Sequence, residues 1–348
     1  MTAPLQLALV GLGRMGTVHA KALAGLSEVD VVAIADTSAD ARAAAAELFP
    51  AARLLTEPAD AFGRDGVEAC LLATPTPLHP AQVRAAIESG LHVLCEKPLS
   101  LDPAEAMELH DAATRAGRVL QLGFWRRFAP PWRAAKDALD AGTIGEPLYM
   151  RFSQWDADPP PATFCDPAVS GGLAIDCGVH EYDLAEWFSG RPVVRVRAHA
   201  APIVDQSLAE VGDVDNLVAV LEMEGGSLAT VDLSRNCRYG DDVRSEILGS
   251  QGALLIDLLP RGRVRLGAAA GMVDLADVDV DDVTSSGVAN QAIAFAAAIR
   301  GTGQLGPGAI ASARATLIGH AVQQSMRTGE PVDVEPIGIT PSESSVTK

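Results

Sequence analysis

Leu5-Gln-Leu-Ala-Leu-Val-Gly11-Leu-Gly13-Arg-Met-Gly16 is the stretch whose spacing decides the fold. A short apolar run is followed by glycines in the pattern GxGxxG and then by an amphipathic segment through Ala24. That order predicts a strand, a tight turn and a helix. The first glycine permits the turn, and the second lets main chain approach a pyrophosphate. The third allows close packing of helix on strand, and the helix N-terminus offers N–H groups and a positive dipole end. Alone the motif is weak. Here Val31–Ala35 is a second apolar run that ends at Asp36 with Thr37 behind it. A carboxylate there accepts hydrogen bonds from the hydroxyls of an adenosine ribose and repels a 2′-phosphate. NAD is the expected cofactor, with Arg42 keeping NADP open.

Working outward, the same rhythm continues through the first third. Glu68–Ala73 ends in Thr74-Pro75, Ala81–Ser89 reads as a helix closed by Gly90, and His92–Cys95 ends in Glu96-Lys97-Pro98. Pro103–Ala116 is a helix closed by Gly117, and Val119–Phe124 is the last run of the series. Short buried strands alternating with helices predict a doubly wound parallel sheet. After Phe124 the pattern changes. Trp132–Ala141 reads as a helix, Pro147–Gln154 as a strand, Pro159–Gly172 as a loop and Asp176–Trp187 as a helix. Strands follow at Val193–Ala200, Val214–Glu222, Ser227–Ser234, Arg244–Gly249, Ala253–Asp257 and Arg263–Leu266, then helices at Asn290–Arg300 and Ala309–Thr328. Consecutive strands joined by turns predict an α+β second domain with a large, open, mainly antiparallel sheet. The expected division is 1–123, 124–335 and a flexible tail at 336–348, with helix 309–328 packing back on the first domain.

The 348 residues suffice for two cores. With Lys plus Arg at 27 against Asp plus Glu at 45, the net charge of −18 opposes nucleic-acid and anionic-membrane partners. No apolar run is long enough to span a bilayer, and no signal peptide is expected before the first strand. The five cysteines are scattered without CxxC pairs, which points to reduced thiols in the cytoplasm and argues against a structural zinc site.

The residues suited to chemistry lie at strand ends and on one helix. Ligands of open α/β sheets bind at the carboxyl edge, where Thr74-Pro75 and Glu96-Lys97-Pro98 fall. Pro98 keeps Lys97 extended, able to enter a cleft and stabilise a developing alkoxide. In Asp176-Cys-Gly-Val-His180-Glu-Tyr-Asp183, spacings of four and three residues place Asp176, His180 and Asp183 on one helical stripe. A solvated helix face is the bland alternative. His19, His92, His110, His199 and His320 read as structural or exposed, and Cys177, off the stripe, as packing.

Together, Gly11–Gly16, Asp36, Glu96-Lys97-Pro98 and the Asp176/His180 pair resemble the Gfo/Idh/MocA oxidoreductases, relatives of glucose–fructose oxidoreductase and inositol 2-dehydrogenase. The resemblance spans about Leu5 to Val334 and is nearest to inositol dehydrogenases at Gly123–Phe128, Asp176–Trp187 and Ser234–Gly240. It implies a Rossmann domain followed by an open sheet that makes homodimers or homotetramers. It also implies catalysis by Lys97, Asp176 and His180, with His180 as proton acceptor and Lys97 and Asp176 polarising and orienting the substrate. From its place four residues before His180, Asp176 is expected to fix the imidazole as well. Arg14, Met15, Thr74, Pro75, His79, Glu96 and Gln121 are implied at the cofactor, beside Gly11, Gly13, Gly16, Asp36 and Thr37. Arg127, Asp183 and Tyr239 are implied at the polyol, with Trp125 standing where an aliphatic or Met residue is more usual.

One segment departs from that pattern. Where inositol dehydrogenases carry His, Arg and Asn, this chain reads Gln154-Trp155-Asp156-Ala-Asp158-Pro-Pro-Pro161. Trp155 offers a face to sugar C–H groups, and Asp156 offers two acceptors to vicinal hydroxyls. The expected activity is oxidation of a secondary hydroxyl of a cyclic polyol or sugar (an inositol isomer, aldose or anhydrosugar) to a ketone or lactone. Two other classes stay open: an NAD-dependent glycosidase using transient oxidation, and a non-catalytic sugar or dinucleotide sensor.

Overall fold

A computed structural model describes residues 3–257, 262–269, 271–278 and 280–337. Of the expected tail, residues 338–348 lie outside the described residues. The first third alternates β1 (Leu5–Val10), α1 (Arg14–Leu23), β2 (Val29–Ala35), α2 (Ala39–Leu48), β3 (Arg53–Leu55), β4 (Ala69–Leu72), α3 (His79–Glu88), β5 (His92–Cys95), α4 (Pro103–Ala116) and β6 (Leu120–Leu122). All six strands are parallel in the order β3-β2-β1-β4-β5-β6, so the winding reverses between β1 and β4. That reversal opens a crevice at the carboxyl ends of the strands.

Side-chain alternation along β1 feeds two cores. Leu5, Leu7 and Leu9 enter one cluster, and Ala8 and Val10 enter the other. Both faces must therefore be covered. One is closed by α1 together with Ala292, Phe295 and Ala296 of a helix from far along the chain. Short, doubly buried runs with no polar alternation are the physical signature of such a sheet.

The rest comprises α5 (Pro130–Asp140), β7 (Pro147–Trp155), α6 (Ala162–Cys165), α7 (Pro167–Ser170), α8 (Gly172–Asp176), α9 (Gly178–Ser189), β8 (Val193–Ala201) and α10 (Leu208–Val211). It continues with β9 (Asn216–Met223), β10 (Leu228–Ser234), β11 (Asp242–Gly249), β12 (Ala253–Asp257), β13 (Gly262–Ala268), β14 (Gly271–Val278), α11 (Val280–Ile299), α12 (Ala309–Thr328) and β15 (Val332–Asp333). The nine strands run β14-β13-β12-β11-β7-β10-β9-β8-β15. Every neighbour pair is antiparallel except β7 with β10, which are parallel from Tyr149↔Leu228 to Trp155↔Ser234. Helices α5, α9 and α12 pack on this sheet, and α12 also packs on α4 and β6.

Four differences from the sequence expectation have physical causes. The 176–187 helix is two helices, α8 and α9, meeting at Cys177. The 159–172 loop contains α6 and α7, each four residues long, too short to leave a periodic signal. Strand β14 follows β13 across a turn and continues the sheet where no strand is expected. Helix α11 begins at Val280 instead of residue 290, disguised by Ser285-Ser286-Gly287. Gly287 is required there, because a Cβ would lie 2.8 Å from the Trp125 ring.

Candidate active site

Two cavities meet at the carboxyl edge of the parallel sheet. The larger, about 510 Å³, is lined by Gly11, Gly13, Arg14, Met15, Asp36, Thr37, Thr74, Pro75, His79, Glu96 and Lys97. The smaller, about 250 Å³, is lined by Lys97, Trp125, Arg126, Gln154, Asp156, Asp176, Cys177, His180, Asp241 and Thr284. Arg14, Met15, Glu96, Lys97 and Asp176 belong to both walls, so the two spaces share a waist.

The glycines of the larger cavity divide their work as the spacing predicts. A Cβ on Gly11, which has φ +87, would meet the Ala73 carbonyl oxygen at 2.7 Å, and one on Gly16 would meet the Gly11 carbonyl oxygen at 2.0 Å. Gly13 is different: a Cβ there would face open space. That space is where an anionic group can approach the main chain, at the N-terminus of α1, which has no side-chain cap. Asp36 closes the far end. Its carboxylate accepts from Leu12 N at 2.6 Å and Ser38 N at 2.7 Å, and Arg42 is engaged on the Asp36 carbonyl at 2.6 Å. These features fit a dinucleotide with a free 2′-hydroxyl.

Thr74 donates its hydroxyl to Gln82, and the buried His79 ring lies 2.8 Å from both the Thr74 and the Pro98 carbonyl oxygens. Burial pushes the His79 imidazole below its ordinary value. Glu96 is buried, which alone would raise its pKa, yet the His19 hydrogen bond at 2.7 Å and the nearby His19 and Lys97 charges hold it below the usual range. His19 thus supports the Glu96-Lys97 turn, a partnership that its position in α1 does not disclose. Gln121 is not at the cofactor cavity. It is buried between β6 and α11, donating to the Gln291 carbonyl oxygen at 3.1 Å, and Gly306 packs against its amide.

At the waist, Lys97 Nζ donates to the Asp176 carbonyl oxygen at 2.6 Å and lies 3.5 Å from its carboxylate. The Lys97–Pro98 peptide is cis. The Asp176 carboxylate faces Lys97, Arg235 and Cys177. It therefore orients Lys97 rather than His180, a correction forced by the break at Cys177 between α8 and α9.

His180 is buried and held edge-on by Phe124 and Trp125, with ring centroids 6.0 and 6.4 Å away. Burial, then the charges of Arg126, Lys97 and Arg14, pushes its imidazole well below the ordinary value. At neutral pH the ring is uncharged and able to accept a proton. Opposite it, Asp156 is set by a buried chain of contacts. Arg126, paired with Glu181, donates to Gln154 Oε1 at 2.8 Å, which obliges the Gln154 amide nitrogen to face Asp156 at 3.0 Å. The Cys177 thiol, kept protonated by burial and then by Asp156 and Asp176, donates to Asp156 at 3.3 Å.

Four expected substrate residues lie elsewhere. Arg127 Nε and Nη2 donate to Asp183 at 2.8 and 2.6 Å, and neither residue lines the smaller cavity. Strand alternation sends Gln154 inward and Trp155 to the opposite face. There Trp155 donates to Asp232 at 2.5 Å and shares a shallow groove with the exposed Tyr239, whose hydroxyl donates to Asp242 at 2.7 Å. Lys97, Asp176, His180, Trp125 and Asp156 are brought together as expected. Arg126, Gln154, Asp241, Thr284 and, in the larger cavity, Phe164 were not expected as site residues. Alternation along β7 could have found Gln154; the others arrive through packing that no local pattern records.

Comparison with known proteins identifies the family and the fold. Residues 5–124 match the model of an oxidoreductase family with an NAD-binding Rossmann fold, and residues 132–255 match the GFO/IDH/MocA C-terminal domain. A myo-inositol 2-dehydrogenase of Thermotoga maritima is 34% identical over 73% of this chain and 75% of its own length. A scyllo-inositol 2-dehydrogenase (NAD+) of Bacillus subtilis is 32% identical over 78% of this chain and 79% of its own. The crystal structure of a scyllo-inositol dehydrogenase from Lactobacillus casei with bound NAD(H) and scyllo-inositol has a TM-score of 0.83 at 25% identity, covering 95% of this chain and 99% of that one.

Proposed function

Given that the chain belongs to the Gfo/Idh/MocA oxidoreductases and binds NAD, we propose that it oxidises a secondary hydroxyl of a cyclic polyol or sugar to a ketone or lactone. The observation that carries this reading is the shared waist. Lys97, held by Asp176, stands between a dinucleotide groove and a small polar chamber containing a neutral His180. NAD, when bound, supplies acceptance of a hydride. The rest is the work of side chains. Lys97 donates to the reacting oxygen and stabilises the alkoxide charge that develops as the hydroxyl loses its proton, a charge that collapses into the carbonyl when the carbon gives up hydride. His180 accepts the hydroxyl proton at a ring nitrogen. Asp176 fixes the direction of the Lys97 ammonium. Asp156, already bonded to Gln154 and Cys177, keeps acceptor capacity for hydroxyls beside the reacting carbon.

An inositol isomer is the leading substrate class, supported by the inositol dehydrogenases of similar sequence and structure. The Asp156 wall leaves aldoses and anhydrosugars in the test. The five cysteines are all free thiols, which supports work in a reducing compartment such as the cytoplasm. Val218, Val220, Leu228 and Leu248 are exposed on the open face of the large sheet, which supports assembly of copies through it.

The test is NADH formation by the purified protein across inositol isomers, aldoses and anhydrosugars, with NAD+ and NADP+. Turnover with a cyclic polyol and NAD+ is expected. Glycoside cleavage without net NADH would favour the glycosidase class. NAD binding with no turnover on any polyol would favour a sensor.

A further inference from the structure

The segment Ser234-Arg235-Asn236 carries a buried charge for which the chemistry above gives no role. Arg235 follows β10 directly, its main-chain N–H donating to the Asp215 carbonyl oxygen at 3.0 Å, and its side chain is almost wholly enclosed. Its Nη2 lies 3.5 Å from an Asp213 oxygen and 3.7 Å from Asp176 Oδ2, and its Nη1 contacts Cys165 Sγ. Nε and Nη2 have no hydrogen-bond partner within the usual limits. Asp213 is itself buried and accepts from Leu173 N at 2.9 Å, near the start of α8. A guanidinium is costly to bury unless it is paired, and here two carboxylates flank it.

The charges alternate along a line from the interior to the cavity: Asp213, Arg235, Asp176, Lys97. Asp176 is the link, because its Oδ2 faces Arg235 while its Oδ1 and main-chain carbonyl face Lys97. We propose that Arg235 is a positioning residue of the dehydrogenase site, holding the Asp176 carboxylate so that Lys97 is aimed at the substrate oxygen. This rests on the reading of Lys97 and Asp176 given above. Without Arg235, Asp176 at the joint between α8 and α9 keeps only Lys97 and the weakly donating Cys177 thiol to direct its carboxylate. The carboxylate can then turn away, and Lys97 loses one of the two contacts that aim it.

The test uses a charge-balanced variant, Arg235→Met with Asp213→Asn, so that no buried carboxylate is stranded and Leu173 N keeps an acceptor. Two readouts are taken. In a crystal structure of the variant, the Asp176 carboxylate is expected beyond about 4 Å from Lys97 Nζ, the limit of an ion pair. In steady-state assays, kcat is expected to fall about a hundredfold, the cost of roughly 1 Å of misplacement, with KM for NAD+ changed by less than about twofold. Arg235→Lys, which leaves a cation between the two carboxylates, is expected to recover part of kcat. A folded variant with Lys97 and Asp176 in their original contact would overturn the proposal, as would unchanged kcat. Should no polyol be turned over by the unsubstituted protein, the dehydrogenase reading fails, and the crystallographic arm still decides whether Arg235 holds Asp176.

Discussion

Lys97 Nζ and the Asp176 carbonyl oxygen are 2.6 Å apart, although 79 residues separate them in sequence. The contact ties the end of β5 in the parallel sheet to the end of α8 beside the large sheet. A lysine held by a main-chain carbonyl and a carboxylate at 3.5 Å is fixed at two points, which leaves a proton free to donate into the cavity. Lys97→Met removes that donor and little volume. We expect kcat to fall roughly 10²- to 10⁴-fold, with the dissociation constant for NAD+, read by protein fluorescence, changed by less than about threefold. Full turnover in this variant would end the assignment of Lys97.

His180, as the proposed general base, is expected to set the acid limb of the pH profile. A general base works in its neutral form, and burial, then Arg126, Lys97 and Arg14, disfavours the imidazolium. The folded pKa is therefore below the ordinary value of about 6.5, and activity persists below that pH instead of failing there. Removing one of the repelling charges relaxes the shift, so Arg14→Gln moves the limb upward. The check is kcat for polyol oxidation from acid to neutral pH in both proteins. A limb at or above the ordinary imidazole value in the unsubstituted protein contradicts the charge environment described.

Much of this was legible because it is local. The glycine spacing of Gly11–Gly16 and the position of Asp36 encode a turn, an approach path and a carboxylate at the cavity wall within one strand–helix–strand unit. What was misread involves direction. Asp176 and His180 are four residues apart, but the joint at Cys177 turns the Asp176 carboxylate to Lys97 and Arg235. Trp155 follows an inward residue on a strand and must point outward, so period-two alternation should have removed it from the pocket. Asp241 and Thr284 approach from distant segments, and their arrival depends on packing between sheets and helices that no window of sequence contains.

Cofactor choice is expected to follow from Asp36. Its carboxylate lines the larger cavity, and Arg42 is bonded to its carbonyl oxygen instead of being free for a 2′-phosphate. Asp36→Ala removes both an acceptor and a repelling charge. A hydrogen bond to a charged group contributes about 1.5–3 kcal/mol, so kcat/KM for NAD+ is expected to fall roughly ten- to a hundredfold. The same parameter for NADP+ holds or rises. If both cofactors lose equally, Asp36 is not the discriminating group.

Arg127 and Asp183 make a bidentate pair whose carboxylate is almost fully buried. Arg127→Met strands that carboxylate, and we expect a loss of about 3–5 kcal/mol in urea unfolding. Arg127→Met with Asp183→Leu removes both charges and is expected to recover most of it. In the recovered protein, KM for the polyol stays near the unsubstituted value. A large rise in KM with intact stability would return the pair to the substrate site.

Asp156 and Trp155 are neighbours at the end of β7 that line different spaces, so they separate the two accounts of sugar recognition. Asp156 lines the smaller cavity and is oriented by Gln154 and Cys177, whereas Trp155 is bonded to Asp232 in the groove that also contains Tyr239. Asp156→Asn keeps the size of the side chain and gives up the charge. If the carboxylate accepts from two substrate hydroxyls, kcat/KM for the polyol drops roughly ten- to a hundredfold. The loss should be greatest for the isomer whose hydroxyls beside the reacting carbon are best placed to donate. Trp155→Ala leaves KM unchanged, because stacking on a sugar requires a ring inside the cavity. Its effect is expected on the association state, read by light scattering, since the indole lies on the open face of the sheet. Were Trp155→Ala to raise KM in a protein of unchanged association state, the outward face would be part of the substrate path, and the inward wall built on Asp156 would be incomplete.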